Sequence, residues 1–202
     1  MATYDVQCLV VWDAGLSDAR ETVNELTGTN ASSDPDKLAH TLAGFGHPGF
    51  AHLPSINASP AAMILAALIQ PDFEVRIVEA LPWVVLQNPN LNWAWLVSEI
   101  TRGGAQNRLG FIVALALELA TSRVQYPAAL EHLSSVEKAL ERVRRAEEDT
   151  LCRASMPAAE RKWLAATRSA VAVRWNLTTG LTPEQLPYAD VRAVNSTAVS
   201  DT

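Results

Sequence analysis

The stretch ITRGGAQNRLGF, residues 100–111, has the residue types and spacing that most closely suggest an anion site. Its two glycines precede an apolar helix, and backbone amides at the start of a helix attract phosphate and carboxylate groups. A P-loop, however, needs G-x-x-x-x-G-K-[ST] after a strand, and here both the Lys-Ser/Thr pair and a preceding strand are missing. The G-x-G-x-x-G dinucleotide fingerprint is also absent. We therefore interpret the stretch as a corner between two helices and keep a weak anion site as the alternative.

The polar residues of this corner are Gln106, Asn107 and Arg108. Gln106 and Asn107 are expected to satisfy unpaired backbone groups at helix ends. Arg108 carries a charge that needs a partner, which could be an internal acid, the carbonyl end of a neighbouring helix, or another molecule. Gly110 would let another helix approach closely. The partner of Arg108 stays open at this point.

No arrangement of residues in the chain predicts catalysis or metal binding. The G-x-S-x-G and H-E-x-x-H motifs are absent, and the two cysteines form neither a disulfide framework nor a zinc pattern. His40, His47 and His52 have poor metal-ligand spacing. The acidic run at residues 147–149 is interpreted as a solvated helix end, because consecutive helical residues point in different directions. We therefore predict no catalytic residue, no metal and no cofactor.

A binding surface is the more promising prediction. Trp93 and Trp95 are two positions apart, about 200° around one helix, so they cannot both face one core, and one of them either fits between layers or reaches a surface as part of a binding patch. The basic residues between 161 and 174 have few acids beside them in the sequence, which predicts a face for an acidic protein or for DNA. The net charge of −6 gives no basic footprint to the whole chain. The predicted partner-binding residues are Trp93, Trp95, Arg108, Arg161, Lys162, Arg168 and Arg174.

The elements that must position these residues are helical. The chain has 202 residues, of which 49% are hydrophobic, enough for one domain with a sizeable core. Residues 1–57 are rich in Gly, Pro, Ser and Asn near their end and are predicted to be a weakly ordered arm, with a strand or a buried helix at residues 4–12. Residues 58–192 are predicted to be the helical domain and residues 193–202 a disordered tail.

Within residues 59–120 we predict four short helices with abrupt turns, arranged as a compact HEAT-like array. Helices are predicted to begin at Ser59-Pro60, Asp72 and Asn88-Pro89, with Pro82 ending or kinking the second. Gly103 is a candidate C-cap. The fold class is therefore all-α, with additional C-terminal helices packed on the array.

The second half of the domain has a different pattern. A helix from Pro127 to about residue 149 has an apolar stripe and a charged opposite face with the i,i+4 pairs Glu141–Arg145 and Arg144–Glu148. Its stripe makes residues 127–150 a candidate homodimer helix. The next helix is predicted to run from Met156-Pro157 to about residue 174, followed by a capping box at residues 182–185.

Targeting signals are not evident in the sequence. No apolar run approaches about 18 residues, and the N-terminus lacks a basic region before its apolar stretch. A cytoplasmic protein without a membrane partner is the expectation.

The segments EALPWVVL, NWAWLV, QNRLGF, EEDTLC and RWNLTT together resemble an uncharacterised group of bacterial all-helical proteins. The resemblance covers about residues 59–188. It implies an association with toxin–antitoxin and mobile-element loci and a regulator or antitoxin-like role, and no catalytic residues are carried over from it.

The function expected from these observations is a non-enzymatic protein-interaction module, antitoxin-like or a regulatory subunit. One alternative is a transcriptional regulator that contacts DNA through the C-terminal basic face. A second is an enzyme whose site is assembled from residues distant in sequence.

Overall fold

The computed structural model of the chain describes residues 35–122 and 127–186. The segment at residues 4–12 and the tail at 193–202, for which we made predictions, lie outside the described residues. The all-α class is confirmed, with eight α-helices and one pair of two-residue strands in the described ranges. The helices are α1 Pro35–Gly44, α2 Pro60–Leu68, α3 Val75–Gln87, α4 Trp93–Arg102, α5 Gln106–Ser122, α6 Pro127–Arg142, α7 Ala158–Thr167 and α8 Ala170–Arg174. The parallel strands are β1 Asp149–Thr150 and β2 Leu177–Thr178.

Residues 35–57 belong to the helical domain, which corrects the expected boundary near residue 58. Helix α1 and a 3₁₀ turn at Pro48–Phe50 pack on each other, and α1 also contacts α2 and α3. Leu38, Leu42 and Phe50 are buried in the same core as the later helices. These few apolar residues, spaced among Gly and Pro, bury enough surface to attach the segment to the domain.

Helix α2 begins as predicted, with Ser59 accepting a hydrogen bond from the backbone of Ala62 and with Pro60 in its first turn. Helix α3 differs from the prediction. It begins at Val75 rather than after Asp72, and it continues through Pro82, which is buried inside it. The carboxylate of Asp72 instead accepts hydrogen bonds from the backbone N–H of Ser155 (2.8 Å) and from its hydroxyl (2.7 Å).

Helix α4 starts later than predicted. The side chain of Asn92 caps it by accepting a hydrogen bond from the backbone of Trp95 at 3.2 Å, whereas the expected start was Asn88-Pro89. Gly103 is its C-cap, as predicted. Gly104 follows with a φ of 73°, a backbone conformation that glycine adopts at little cost.

Helix α5 is the centre of the fold, and the predicted HEAT-like arrangement is not confirmed. It contacts α3, α4, α6 and α8, both strands and the 3₁₀ turn at Pro183–Gln185. A stack of helical hairpins would give each helix only its neighbours along the array. Gly110 permits a close approach to α5, because a Cβ at this position would overlap the indole ring of Trp175.

Helix α6 ends at Arg142, several residues before the predicted end. Its apolar residues Leu133, Val136 and Leu140 are buried, and the helix packs against α5. The stripe that suggested a homodimer through residues 127–150 is therefore used inside the domain. The predicted i,i+4 pairs at the end of the helix do not occur, because the chain is no longer helical there.

The remaining segments close the domain around α5. The helix expected to reach residue 174 is interrupted at Arg168, whose backbone is extended, and Ser169 caps the separate helix α8. At the capping box, the backbone N–H of Thr182 donates to Oε1 of Gln185 at 3.2 Å, as predicted. In the two described ranges, no helix combines the length and apolar character needed to cross a membrane.

Candidate functional site

The polar corner at residues 106–108 is held by internal partners. The guanidinium of Arg108 binds both carboxylate oxygens of Asp149, with Nε–Oδ2 at 2.7 Å and Nη2–Oδ1 at 2.9 Å. Its Nη1 also donates to the carbonyls of Leu68 (2.9 Å) and Gln70 (2.6 Å), at the C-terminal end of α2. Burial opposes the charge on Arg108, but the hydrogen bonds and charge of Asp149 outweigh it, so the pKa of Arg108 is raised. The partner of Arg108, which the sequence left open, is therefore an internal acid, Asp149.

Asp149 is thus not part of a solvated helix end, which corrects our interpretation of residues 147–149. The chain leaves α6 at Arg142 and returns as β1 beside α5, and this return brings the carboxylate of Asp149 to Arg108. Glu148 also finds a partner here, since its Oε2 lies 3.0 Å from Nη1 of Arg168.

Asn107 and Gln106 join the same corner to the end of α6. Asn107 donates to the carbonyl of Arg145 at 3.0 Å and accepts from the backbone N–H of Arg145 at 2.8 Å. Gln106 donates to the carbonyl of Val143 at 3.1 Å. These side chains replace the hydrogen bonds that a continuing helix would have made.

A cavity of about 250 Å³ borders this corner, with Gly104, Arg108 and Arg145 in its wall. Both arginines have internal partners, since Arg108 pairs with Asp149 and Arg145 with Glu147. The same wall contains the carboxylates of Glu147, Glu148 and Asp149. The arrangement therefore argues against an anion site at this corner, because the cations are neutralised and the acids would repel a second anion.

Both predicted interface tryptophans are buried, so of the two alternatives it is the fit between layers that the structure shows, and neither tryptophan reaches the surface. Trp93 is 7% exposed and Trp95 is 3% exposed. Helix α4 lies between α2 and α5, so two of its faces are covered. The indole N–H of Trp93 donates to the carbonyl of Pro89 at 3.0 Å.

The predicted basic face is largely neutralised by acids and carbonyls from other segments. Arg174 pairs with Glu137 (2.7 Å) and Glu141 (2.6 Å) on α6, and Arg168 pairs with Glu148. Arg161 donates to the carbonyl of Ala154 at 3.1 Å. Lys162 is exposed. The acids that compensate Arg168 and Arg174 lie 20 to 37 residues earlier in the chain, which is why the local sequence seemed to lack them.

A second surface has the features that a binding site requires. We use the name α3–α7 groove for a cavity of about 420 Å³ between α3, α7 and residues 179–185. Its wall includes Val75, Glu79, Arg153, Glu160, Trp163, Leu164 and Leu181.

The periodicity of the α-helix explains why these side chains line the same groove. Val75 and Glu79 are four residues apart on α3, so they lie one above the other on the same face. Glu160, Trp163 and Leu164 form a matching stripe on α7. Leu164 is buried at the base, whereas Trp163 is 64% exposed and Val75 is 47% exposed. The groove therefore has a buried apolar base and an exposed apolar rim.

The charges in the groove do not balance. Arg153 and Glu160 form a two-point ion pair, with nitrogen–oxygen distances of 2.8 Å and 3.3 Å. In the part of the chain that the structure describes, Glu79 has neither a hydrogen bond to its carboxylate nor an ion pair. Burial raises the pKa of Glu79, and the more distant charge of Arg76 only partly offsets this.

The histidines do not form a metal site. Within residues 35–122 and 127–186, no group of three His, Cys, Asp or Glu residues could hold a metal ion. His47 is buried between Phe50 and Trp83, and its Nδ1 accepts a hydrogen bond from the backbone of Gly49 at 3.1 Å. Burial, helped by the charge of Arg76, lowers the pKa of His47 to about 4.

The sequence did not single out Trp163, Val75 or Glu79 as binding residues. One feature of the sequence did mark Trp163. Trp163 directly follows Arg161 and Lys162 on a helix whose other residues are mostly alanine or charged, so it had little apolar company to pack with. The groove brings together residues of α3 and α7 that are about 85 residues apart in the chain, and no pattern in the sequence indicated this.

Searches of the chain against protein-family models, curated proteins and solved structures found no match. The resemblance to bacterial helical proteins at toxin–antitoxin loci therefore stays a prediction.

Proposed function

We propose that this chain is a non-enzymatic protein-interaction module that binds a segment of another protein in the α3–α7 groove. The observation that carries the proposal is Trp163, a large aromatic side chain left 64% exposed beside a 420 Å³ groove. Exposed aromatic side chains at a groove are a common feature of binding surfaces, because covering them with a partner is favourable.

The occupant we propose is a peptide segment that inserts a large apolar side chain between Val75 and Trp163. The base of the groove already offers Leu164 and Leu181, so such a side chain would contact apolar atoms on several sides. Covering one large apolar side chain contributes about 1.5–3 kcal/mol. The charged wall around the apolar base would orient the segment rather than supply most of the affinity.

An antitoxin-like or regulatory-subunit role is one setting in which such a module would act, and it is the role that the sequence resemblance implies. The DNA-binding alternative has less support. Arg168 and Arg174 already pair with acids of the same chain, and a phosphate would have to displace those acids.

The test is selection from a displayed library of random peptides on the full-length protein. Peptides selected by the wild type should bind Trp163→Ser at least tenfold more weakly, because the apolar rim is lost. The matched controls are Val75→Ser and Val173→Ser, since both valines are about half exposed but only Val75 lines the groove. Binding should weaken in the first and stay unchanged in the second.

Two results would overturn this proposal. One is a set of peptides that bind Trp163→Ser as tightly as the wild type. The other is self-association of the wild type, measured by light scattering, that Trp163→Ser abolishes. In that case the groove would be filled by a second copy of this chain instead of another protein.

A further inference from the structure

We propose, on the basis of the docking function above, that Glu79 recognises a basic side chain, so that the groove selects partner segments with Lys or Arg near the apolar anchor. Glu79 would then be the residue that determines specificity, while Trp163 and Val75 supply the apolar contact.

The charges in the wall of the groove do not balance. Three charged residues line it, namely Glu79, Arg153 and Glu160. Arg153 and Glu160 neutralise each other through two hydrogen bonds. Arg76, on the same helix as Glu79, extends instead over the ring of Phe50, 5.4 Å from its centroid. The carboxylate of Glu79 is therefore the one charged group among the described residues of the wall that has neither an ion pair nor a hydrogen bond.

A docked segment would also change the environment of the Glu79 carboxylate. Glu79 is already partly buried, and burial already raises the pKa of its carboxyl group. A segment lying in the groove would remove more water from it. A carboxylate can only accept hydrogen bonds, and covering it without a donor or a cation is costly. A Lys or Arg of the partner would compensate the charge, whereas an apolar or acidic residue would not.

Glu79 lies close to the apolar rim of the groove. Glu79 lies one helical turn from Val75 on α3, so the two Cβ atoms are about 5–6 Å apart. An extended segment repeats its side chains on one face every second residue, about 6.5–7 Å apart. A helical segment repeats them every third or fourth residue. An extended partner segment should therefore have a basic residue two positions from its apolar residue. A helical partner segment should have the basic residue three or four positions away.

The experiment compares peptide selections on five proteins: the wild type, Glu79→Gln, Glu79→Lys, Trp163→Ser and a control variant. Glu131→Gln, an exposed carboxylate on α6, is the matched control for loss of one negative charge. Wild type and Glu131→Gln should select peptides enriched in Lys or Arg at a fixed spacing from an apolar residue. Glu79→Gln should keep the apolar residue and lose the basic one, and Glu79→Lys should favour Asp or Glu.

A double-mutant cycle on one selected peptide measures the contact directly. Replacing its Lys or Arg by Gln should weaken binding to the wild type about tenfold and leave binding to Glu79→Gln nearly unchanged. Peptides that depend on Trp163 but show no basic preference would overturn this inference and leave the proposed function standing. An absence of Trp163-dependent peptides would overturn both.

Discussion

The polar corner around Arg108 and the α3–α7 groove contain similar residues in opposite situations. In the corner, the buried guanidinium of Arg108 has two carboxylate oxygens and two backbone carbonyls as partners. In the groove, Arg153 and Glu160 pair with each other and Glu79 is left with none in the described part of the chain. Both regions have charged walls around a cavity. Among the described residues, the charged residues in the wall at the corner are all paired, although the buried Oε1 of Gln106 has no hydrogen bond, whereas the carboxylate of Glu79 in the groove is a charge without a partner that another molecule could satisfy.

The difference shows which property identifies a candidate site. Polar residues close together in sequence, such as Gln106, Asn107 and Arg108, mark a place where the fold must satisfy its own backbone and charges. Once the charges of such a cluster are paired internally, the cluster stabilises the fold and its charges are not free to bind another molecule. A partly buried group without a partner, beside exposed apolar surface, is the stronger indication of binding.

The largest expected effect comes from breaking the corner. Arg108→Ala would leave the carboxylate of Asp149 and the carbonyls of Leu68 and Gln70 without their donor. Removing one member of a buried ion pair costs about 3–5 kcal/mol. We expect a loss of this size in the free energy of unfolding, measured by urea denaturation at pH 7.

Arg102→Ala is the matched control, because Arg102 pairs with Glu99 on α4 but its side chain is mostly exposed. An exposed pair of this kind contributes less than about 1 kcal/mol. Equal losses for the two variants would show that the corner is not the buried, closed network described above.

A second effect depends on pH and concerns His47, another buried polar group whose partner is internal. The pKa of His47 is about 4 in the folded chain, against 6.5 for an unperturbed histidine. Between these two pH values the unfolded chain binds a proton that the folded chain does not. The free energy of unfolding should therefore fall as the pH drops from about 6.5 to 4, by up to about 3 kcal/mol.

The His47→Asn variant isolates this contribution, because asparagine can still accept the hydrogen bond from Gly49 but does not titrate. Urea denaturation at pH 7 and pH 4.5 should show a smaller pH dependence for the variant than for the wild type. The same pH dependence in both proteins would contradict the assignment, since other titrating groups would then account for all of it.

Asp149→Asn makes a smaller change to the corner than Arg108→Ala. It keeps the shape of the side chain but replaces one carboxylate oxygen by an amide donor that faces Arg108. Hydrogen bonds to charged groups contribute about 1.5–3 kcal/mol, and we expect a loss in this range by urea denaturation. The loss should also be non-additive with Arg108→Ala, because the two residues share one interaction. Strictly additive losses would mean that the ion pair contributes nothing.

How much of this could be predicted from the sequence depends on the range of each interaction. The Ser59-Pro60 cap and the nearly all-apolar helix α5 follow from neighbouring residues, and both predictions were confirmed. The corner itself was predicted, but the identity of the partner of Arg108 was not, because Asp149 lies 41 residues away. The assumed continuation of α6 placed that acid on a solvated helix.

The surroundings of the predicted binding residues could not be derived from the sequence for the same reason. Trp93 and Trp95 were expected to diverge because they lie on opposite sides of one helix, and the packing of α4 between two other helices covers both sides. The groove is formed by α3 and α7, which have no local pattern in common. Only the isolated position of Trp163 on a charged helix pointed to it.

The smallest expected effect is on the groove side of the comparison and is the most discriminating. Glu79→Gln is the same type of change as Asp149→Asn, a carboxylate replaced by its amide. Because burial raises the pKa of Glu79, folding disfavours its ionised form, so its contribution to stability is lost as the pH rises through the folded pKa. At pH 7 the variant should have a free energy of unfolding within about 0.5 kcal/mol of the wild type, or slightly higher. A loss as large as that of Asp149→Asn, measured by the same urea denaturation, would mean that Glu79 has a structural partner. The charges of the groove would then be paired internally, as those of the corner are, and Glu79 would not be free to bind a basic ligand.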